Sequence, residues 1–152
     1  MLQHRFSWKH FLLLLIGAFL IASLVRFFIA QPFIIAGPSM QPSFASGDYV
    51  VLDLISYDFQ KPARGDVVVF RYPLDPELFY VKRIAALPGE WINEQTGALV
   101  AASSSLPNTL KLAKDEYFVL GDNTSKSSDS REWGPLQTKF IIGKVFVRVW
   151  PL

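Results

Sequence analysis

Residues 11–30 read FLLLLIGAFLIASLVRFFIA, an apolar run that only Arg26 interrupts. No other feature restricts the chain so strongly. At ~1.5 Å rise per residue, about 20 residues cross a ~30 Å hydrocarbon core. A cleavable secretory segment would be shorter and followed by a small-residue cleavage site. Ala30-Gln31-Pro32 is a poor site of that kind, because a proline just past the scissile bond resists cleavage. The run is therefore read as a retained anchor, with 1–10 before it and one domain, 31–152, after it.

Charge gives the anchor a direction. Residues 1–30 carry Arg5, Lys9 and Arg26 and no acid, leaving 12 of the 15 Lys/Arg to face all 13 Asp/Glu beyond residue 30. Basic residues before a span place the N-terminus in the cytoplasm. The expected protein is single-pass in the cell membrane, with 31–152 on the extracytoplasmic side and Arg26 snorkelling near the exit end. The net +2 comes from the anchor region. A near-neutral domain argues against nucleic acid as a partner, since that needs a basic face.

Beyond residue 31 the pattern is short β-type segments: Phe33–Ile35, Tyr49–Ile55, Asp66–Tyr72, Phe79–Ala85, Trp91-Ile92, Tyr117–Leu120 and Phe140–Val149. They are rich in Val, Ile, Phe and Tyr and are divided by Gly, Pro, Asn and Ser. Gly47-Asp48, Gly65-Asp66, Pro88-Gly89 and Gly121-Asp122-Asn123 read as turns, glycine supplying positive φ. Ala101–Asn108 reads as a surface loop, and no second long helix is evident. The expected class is all-β behind a single N-terminal transmembrane helix.

Elimination narrows the chemistry. The only histidines, His4 and His10, precede the span, and there is no cysteine. On the expected topology Ser-His-Asp catalysis and nearly every zinc site are excluded, so neither a metal nor a cofactor is expected. What remains for peptide hydrolysis is a carboxylate pair, or a Ser or Thr activated by lysine. Gly37-Pro38-Ser39-Met40-Gln41-Pro42 holds Ser39 in a rigid turn, as suits a nucleophile or a plain turn serine. Alternation puts Tyr80, Lys82 and Ile84 on one strand face, where burial would lower the lysine pKa; an edge-strand lysine that discourages aggregation is the blander reading. Residues 121–134 (GDNTSKSSDSREWG) read first as a solvated loop and second as a polar scaffold in which Asp129 pairs with Arg131.

Together these segments resemble the type I signal peptidase family, in the family's order and over nearly the whole domain after residue 31. Ser39-Met40-x-Pro42 looks like the nucleophile box, followed by Gly47-Asp48-x-Val50-Val51 and Arg64-Gly65-Asp66-Val67-Val68-Val69-Phe70. Tyr80-Val81-Lys82-Arg83 through Leu87-Pro88-Gly89 looks like the lysine box; Gly121-Asp122-Asn123, Ser127-x-Asp129-Ser130-Arg131 and Trp133-Gly134 match the last. The resemblance implies an all-β protease fold, Ser39 as nucleophile and Lys82 as general base. Ser127 would hold the lysine amine, with Asp129 and Arg131 as a structural ion pair. The implied partners are signal peptides of exported preproteins and the lipid bilayer. The substrate would lie extended between the segments near 33–36 and 79–82 and be cut after an Ala-x-Ala motif. Phe33, Ile35, Tyr80 and Val81 would line the two small pockets this requires. Met40, Phe44, Val50 and Val69 complete that expected lining. The chain departs from the common pattern at Gly37, Ser43-Phe44, Glu90 and Thr124-Ser125-Lys126, none in the dyad. Other readings are a specialised Ser-Lys peptidase of pilus or organelle precursors, a self-cleaving repressor-type protein, and an inactive membrane-anchored binding domain.

Overall fold

A computed structural model describes residues 8–28, 30–101 and 107–150, with the side chains of 24–28, 30 and 150 outside the described set. The expected roles of His4, Arg5 and Arg26 therefore fall outside the described residues, as does most of the loop at 101–108. Helix α1 (Trp8–Phe28) opens the fold. Its large apolar side chains from Trp8 to Ile21 are bare, with Leu14 and Phe19 both 72% exposed. Among the described residues, no helix is long and apolar enough to cross a membrane. Helix α1 ends at Phe28, and the span expected over 11–30 is not shown.

The rest is mostly antiparallel β-sheet. The strands are β1 (Ala30–Ile34), β2 (Tyr49–Asp53), β3 (Val67–Tyr72), β4 (Asp75–Ala86), β5 (Trp91–Asn93), β6 (Thr109–Lys111), β7 (Glu116–Leu120), β8 (Leu136–Gln137) and β9 (Ile141–Trp150). Seven form one sheet in the order β1-β2-β9-β3-β4-β7-β8, and β5 pairs with β6 apart from it. Two four-residue helical turns, α2 (Ser56–Phe59) and α3 (Ser130–Trp133), and two 3-10 turns, Thr124–Lys126 and Thr138–Phe140, connect the strands.

β3 explains why the sheet is central. Val67, Val68, Val69 and Phe70 are all buried, a continuous apolar run of the kind that marks a strand covered on both faces. Val67 and Val69 enter a cluster with Ile35, Met40, Val50 and Leu52, while Val68 and Phe70 enter another with Ile84, Val119 and Leu136. Each such side chain stabilises the fold by roughly 1.5–3 kcal/mol when fully buried. β4 alternates in step: Val81 joins the first cluster, and Tyr80 and Ile84 join the second.

Two turns share one construction. In Ala45-Ser46-Gly47-Asp48 and Ala63-Arg64-Gly65-Asp66, the aspartate carboxylate accepts the N–H of the alanine three residues back, at 3.0 Å in both. Gly47 and Gly65 stand at φ +97° and +88°, where other residues are strained.

Candidate active site

Ser39 follows β1 in a turn closed by Gln41 N–H donating to the Pro38 carbonyl at 3.1 Å and Phe44 N–H to that of Met40 at 2.9 Å. The Gln41–Pro42 peptide bond is cis. Met40 is fully buried in the first cluster and plugs the turn into the core, one residue from the serine hydroxyl. Lys82 comes from β4, opposite Val68 of β3, and is only 4% exposed. Its Nζ donates to Ser39 Oγ at 2.9 Å and stands 5.2 Å from the centroid of the Tyr80 ring. Burial pushes the lysine pKa from 10.5 down to about 8, against the opposing pull of the Asp129 charge. An amine partly neutral in mildly alkaline water, in contact with a hydroxyl, is the arrangement that nucleophilic hydrolysis needs. Among the described residues, no group of His, Cys, Asp and Glu is placed to hold a metal ion.

The segment from 121 to 131 is a scaffold built on a fully buried carboxylate. Asp129 takes Arg131 Nε on Oδ1 and Arg131 Nη2 on Oδ2, both at 2.8 Å, and Gly121 N–H at 3.0 Å. Burial alone would raise this carboxyl. The guanidinium, the Gly121 amide and the nearby Ser127 hydroxyl hold it below the usual value. Arg131 Nη2 also donates to the Thr124 carbonyl at 3.0 Å, and Ser130 Oγ accepts Val119 N–H at 3.0 Å. Asn123 N–H then donates to the Ser39 carbonyl at 2.9 Å, which ties the scaffold to the serine backbone.

Ser127 differs from the expectation. Its Oγ is buried without a hydrogen-bond partner and does not hold the lysine amine, whose hydrogen bond goes to Ser39. It stands near enough to stabilise the Asp129 charge, but not in a hydrogen bond of good geometry. Gly121 also has a different reason from the expected turn glycine. Its φ is not positive; a Cβ there would stand 2.2 Å from Ser127 Oγ and 2.6 Å from the Ser39 carbonyl oxygen. Backbone must yield to such a clash. We expect Gly121→Ala to lower activity by about 10²-fold, the scale of a ~1 Å misplacement. Rates measured on protein checked for folding by circular dichroism decide the point, and near-native activity would contradict it.

A groove of about 310 Å³ runs beside the serine–lysine pair. Phe33, Ile35, Tyr80 and Val81 line it, as does Ser128, which the sequence reading passed over. The other expected lining residues lie elsewhere. Met40 and Val50 are buried in the cluster that contains Ile35, beneath the groove rather than on it. Val69 belongs to that cluster and borders a second depression with Phe33. Phe44 borders a third, with Arg83 and Arg148. Val50 and Val69 point inward from β2 and β3, and Met40 does so from the turn after β1, so apolar character alone does not separate floor from wall.

Arg83 was also missed. Its Nε and Nη2 meet the Asp122 carboxylate at 2.8 and 2.7 Å, and its Nη1 donates to the Gly65 carbonyl at 2.9 Å. The strand that carries Lys82 is thereby fastened to the start of the scaffold. The signal was present: a cation next to Lys82 must point to the opposite face, where it needs an acid.

The β-sheet thus holds a serine hydroxyl against a buried lysine, and the matches of the whole chain point to the serine-type peptidases. Residues 8–110 and 94–150 match the family described as signal peptidase, peptidase S26, and the chain belongs to that family. A protein named probable signal peptidase I-1 from Synechocystis sp. is 34% identical over 157 residues, which cover 91% of this chain and 80% of that one. The mitochondrial ATP-independent inner membrane protease subunit 1b of Arabidopsis thaliana is 39% identical over 116 residues, 76% of this chain and 67% of that one. A crystal structure of a signal peptidase I from Enterococcus faecalis V583 is 26% identical, with a TM-score of 0.45, covering 57% of this chain and 98% of that one.

Proposed function

We propose that this chain removes signal peptides from exported preproteins, with Ser39 as nucleophile and Lys82 as general base. The observation that carries the reading is the 2.9 Å contact between Lys82 Nζ and Ser39 Oγ, with the lysine almost wholly buried. In the reactive form the amine is neutral and accepts the hydroxyl proton. Oγ attacks the carbonyl carbon before the cut, and the resulting oxyanion takes the Ser39 N–H. The lysine ammonium then returns its proton to the departing amine, leaving an ester on Ser39. Water hydrolyses that ester with Lys82 again as base. The unspent Ser127 hydroxyl is at hand to orient the amine through these transfers.

The substrate binds as an added strand. Among the described residues, β1 is an edge strand paired only with β2, and β4 pairs with β7 only from Arg83 onward, so each offers free backbone groups along the groove. Small residues fit the first and third positions before the cut. Helix α1, with its bare apolar flanks, anchors the domain to the membrane, N-terminus inside. The test is to incubate the detergent-solubilised protein with a preprotein and map the cut by mass spectrometry. Cleavage is expected after an Ala-x-Ala sequence; efficient cutting after Phe or Lys would refute the assignment.

A further inference from the structure

The groove beside Ser39 ends at an aromatic pair. Phe33 and Phe79 meet edge to face with ring centroids 6.4 Å apart. Both rings also border a second depression of about 290 Å³, whose other lining residues are the apolar Leu52, Val69 and Ile142 and the polar Gln31 and Arg71. An apolar cavity of only about 150 Å³ can take a benzene ring, so this space has room for a large aliphatic or aromatic side chain. Nothing in the catalytic reading uses it.

Its position fixes what it would hold. Phe33 meets Phe79 and Ser39 meets Lys82, so β1 and β4 run past the groove in the same sense. Phe79 lies three residues before Lys82, ~10 Å along a strand. An extended substrate cut beside Ser39, with its upstream residues along the groove, meets this divider ~10 Å from the cut, at its fourth residue before it, and its fifth residue, ~13 Å away, lies just past the divider. Side chains of a strand alternate, so the first, third and fifth residues face the same way. If the first and third enter the groove toward the core, the fifth enters the second depression.

We propose that this depression is a further specificity site, which selects an apolar side chain at the fifth residue before the cut. The proposal rests on the peptidase reading above. It adds a requirement of opposite character to the two inner positions: small residues next to the cut, a large apolar one at the far side of the Phe33–Phe79 pair.

The experiment uses the full chain in detergent and peptides that share Ala at the first and third positions. The fifth residue is Leu, Phe, Ser or Asp. Cleavage by the native protein is measured beside binding to Ser39→Ala. Leu and Phe peptides should exceed Ser and Asp peptides about tenfold in kcat/KM, as expected for one apolar side chain in a pocket. Ile142→Phe, which fills the depression, should bring that ratio close to one. Cleavage without preference at the fifth residue would overturn the site and leave the peptidase standing. Preferential binding in a protein that cleaves none of the peptides would do the reverse. An unchanged ratio in folded Ile142→Phe would also overturn the proposal.

Discussion

Lys82→Arg should be as inactive as Ser39→Ala, with cleavage lowered by about 10²–10⁴-fold or more, the range general-base catalysis spans. The substitution keeps a positive charge and a long stem, so a merely structural lysine would tolerate it. A base would not, because a guanidinium does not give up its proton in a protein. The native enzyme should show the matching pH dependence. Burial brings Lys82 to about pKa 8, so kcat/KM should fall about tenfold per unit below that pH and level off above it. Stability follows in the same sense. Between about pH 8 and 10.5 the unfolded chain binds the lysine proton and the folded one does not, so stability rises with pH through that window. Signal-peptide cleavage rates for Lys82→Arg, with folding verified by circular dichroism, decide the matter. A folded variant with near-normal turnover would mean that Lys82 is not the base.

The β-strands were legible in the sequence wherever burial sets a simple period. β3 shows as an unbroken apolar run, and β4 alternates, so the sequence alone puts Tyr80, Lys82 and Ile84 on one face. What escaped was short or set by distant contacts. β6 and β8 span three and two residues and owe their existence to β5 and β7, which no local pattern reveals. β4 begins at Asp75, well before the expected Phe79, because the hairpin with β3 carries it through Pro76. At the site, residue types left Ser39 and Lys82 open between structural and catalytic roles, the family resemblance pointed to both, and three-dimensional fit decided the remainder. Gly121 reads as a turn residue until Ser127 and the Ser39 carbonyl are seen to press on it. Met40 and Val50 read as pocket walls until they are seen buried in the core cluster that contains Ile35, off the groove lining.

Asp129→Asn should separate the scaffold's mechanical role from its electrical one. The variant keeps the side-chain volume but turns an amide donor toward the Arg131 guanidinium, itself only a donor. Breaking a buried pair costs about 3–5 kcal/mol. Arg131 keeps 21% of its side chain in solvent, which can take up part of the freed charge, so the lower end applies. A loss of about 3 kcal/mol should lower Tm by about 10 °C. In native protein the Asp129 carboxyl is held below its ordinary 3.8, so its contribution is present above that pH and is lost as pH falls through the lowered folded value. The variant should lack this acid-side dependence. Activity carries the second signal. The Asp129 charge raises the Lys82 pKa against the downward push of burial, so removing it should shift the alkaline-rising limb of kcat/KM to lower pH. A purely mechanical loosening of the loop would let water reach the amine and move that limb the other way. A limb that stays in place or moves upward in folded Asp129→Asn would show that the carboxylate does not act on the lysine through its charge.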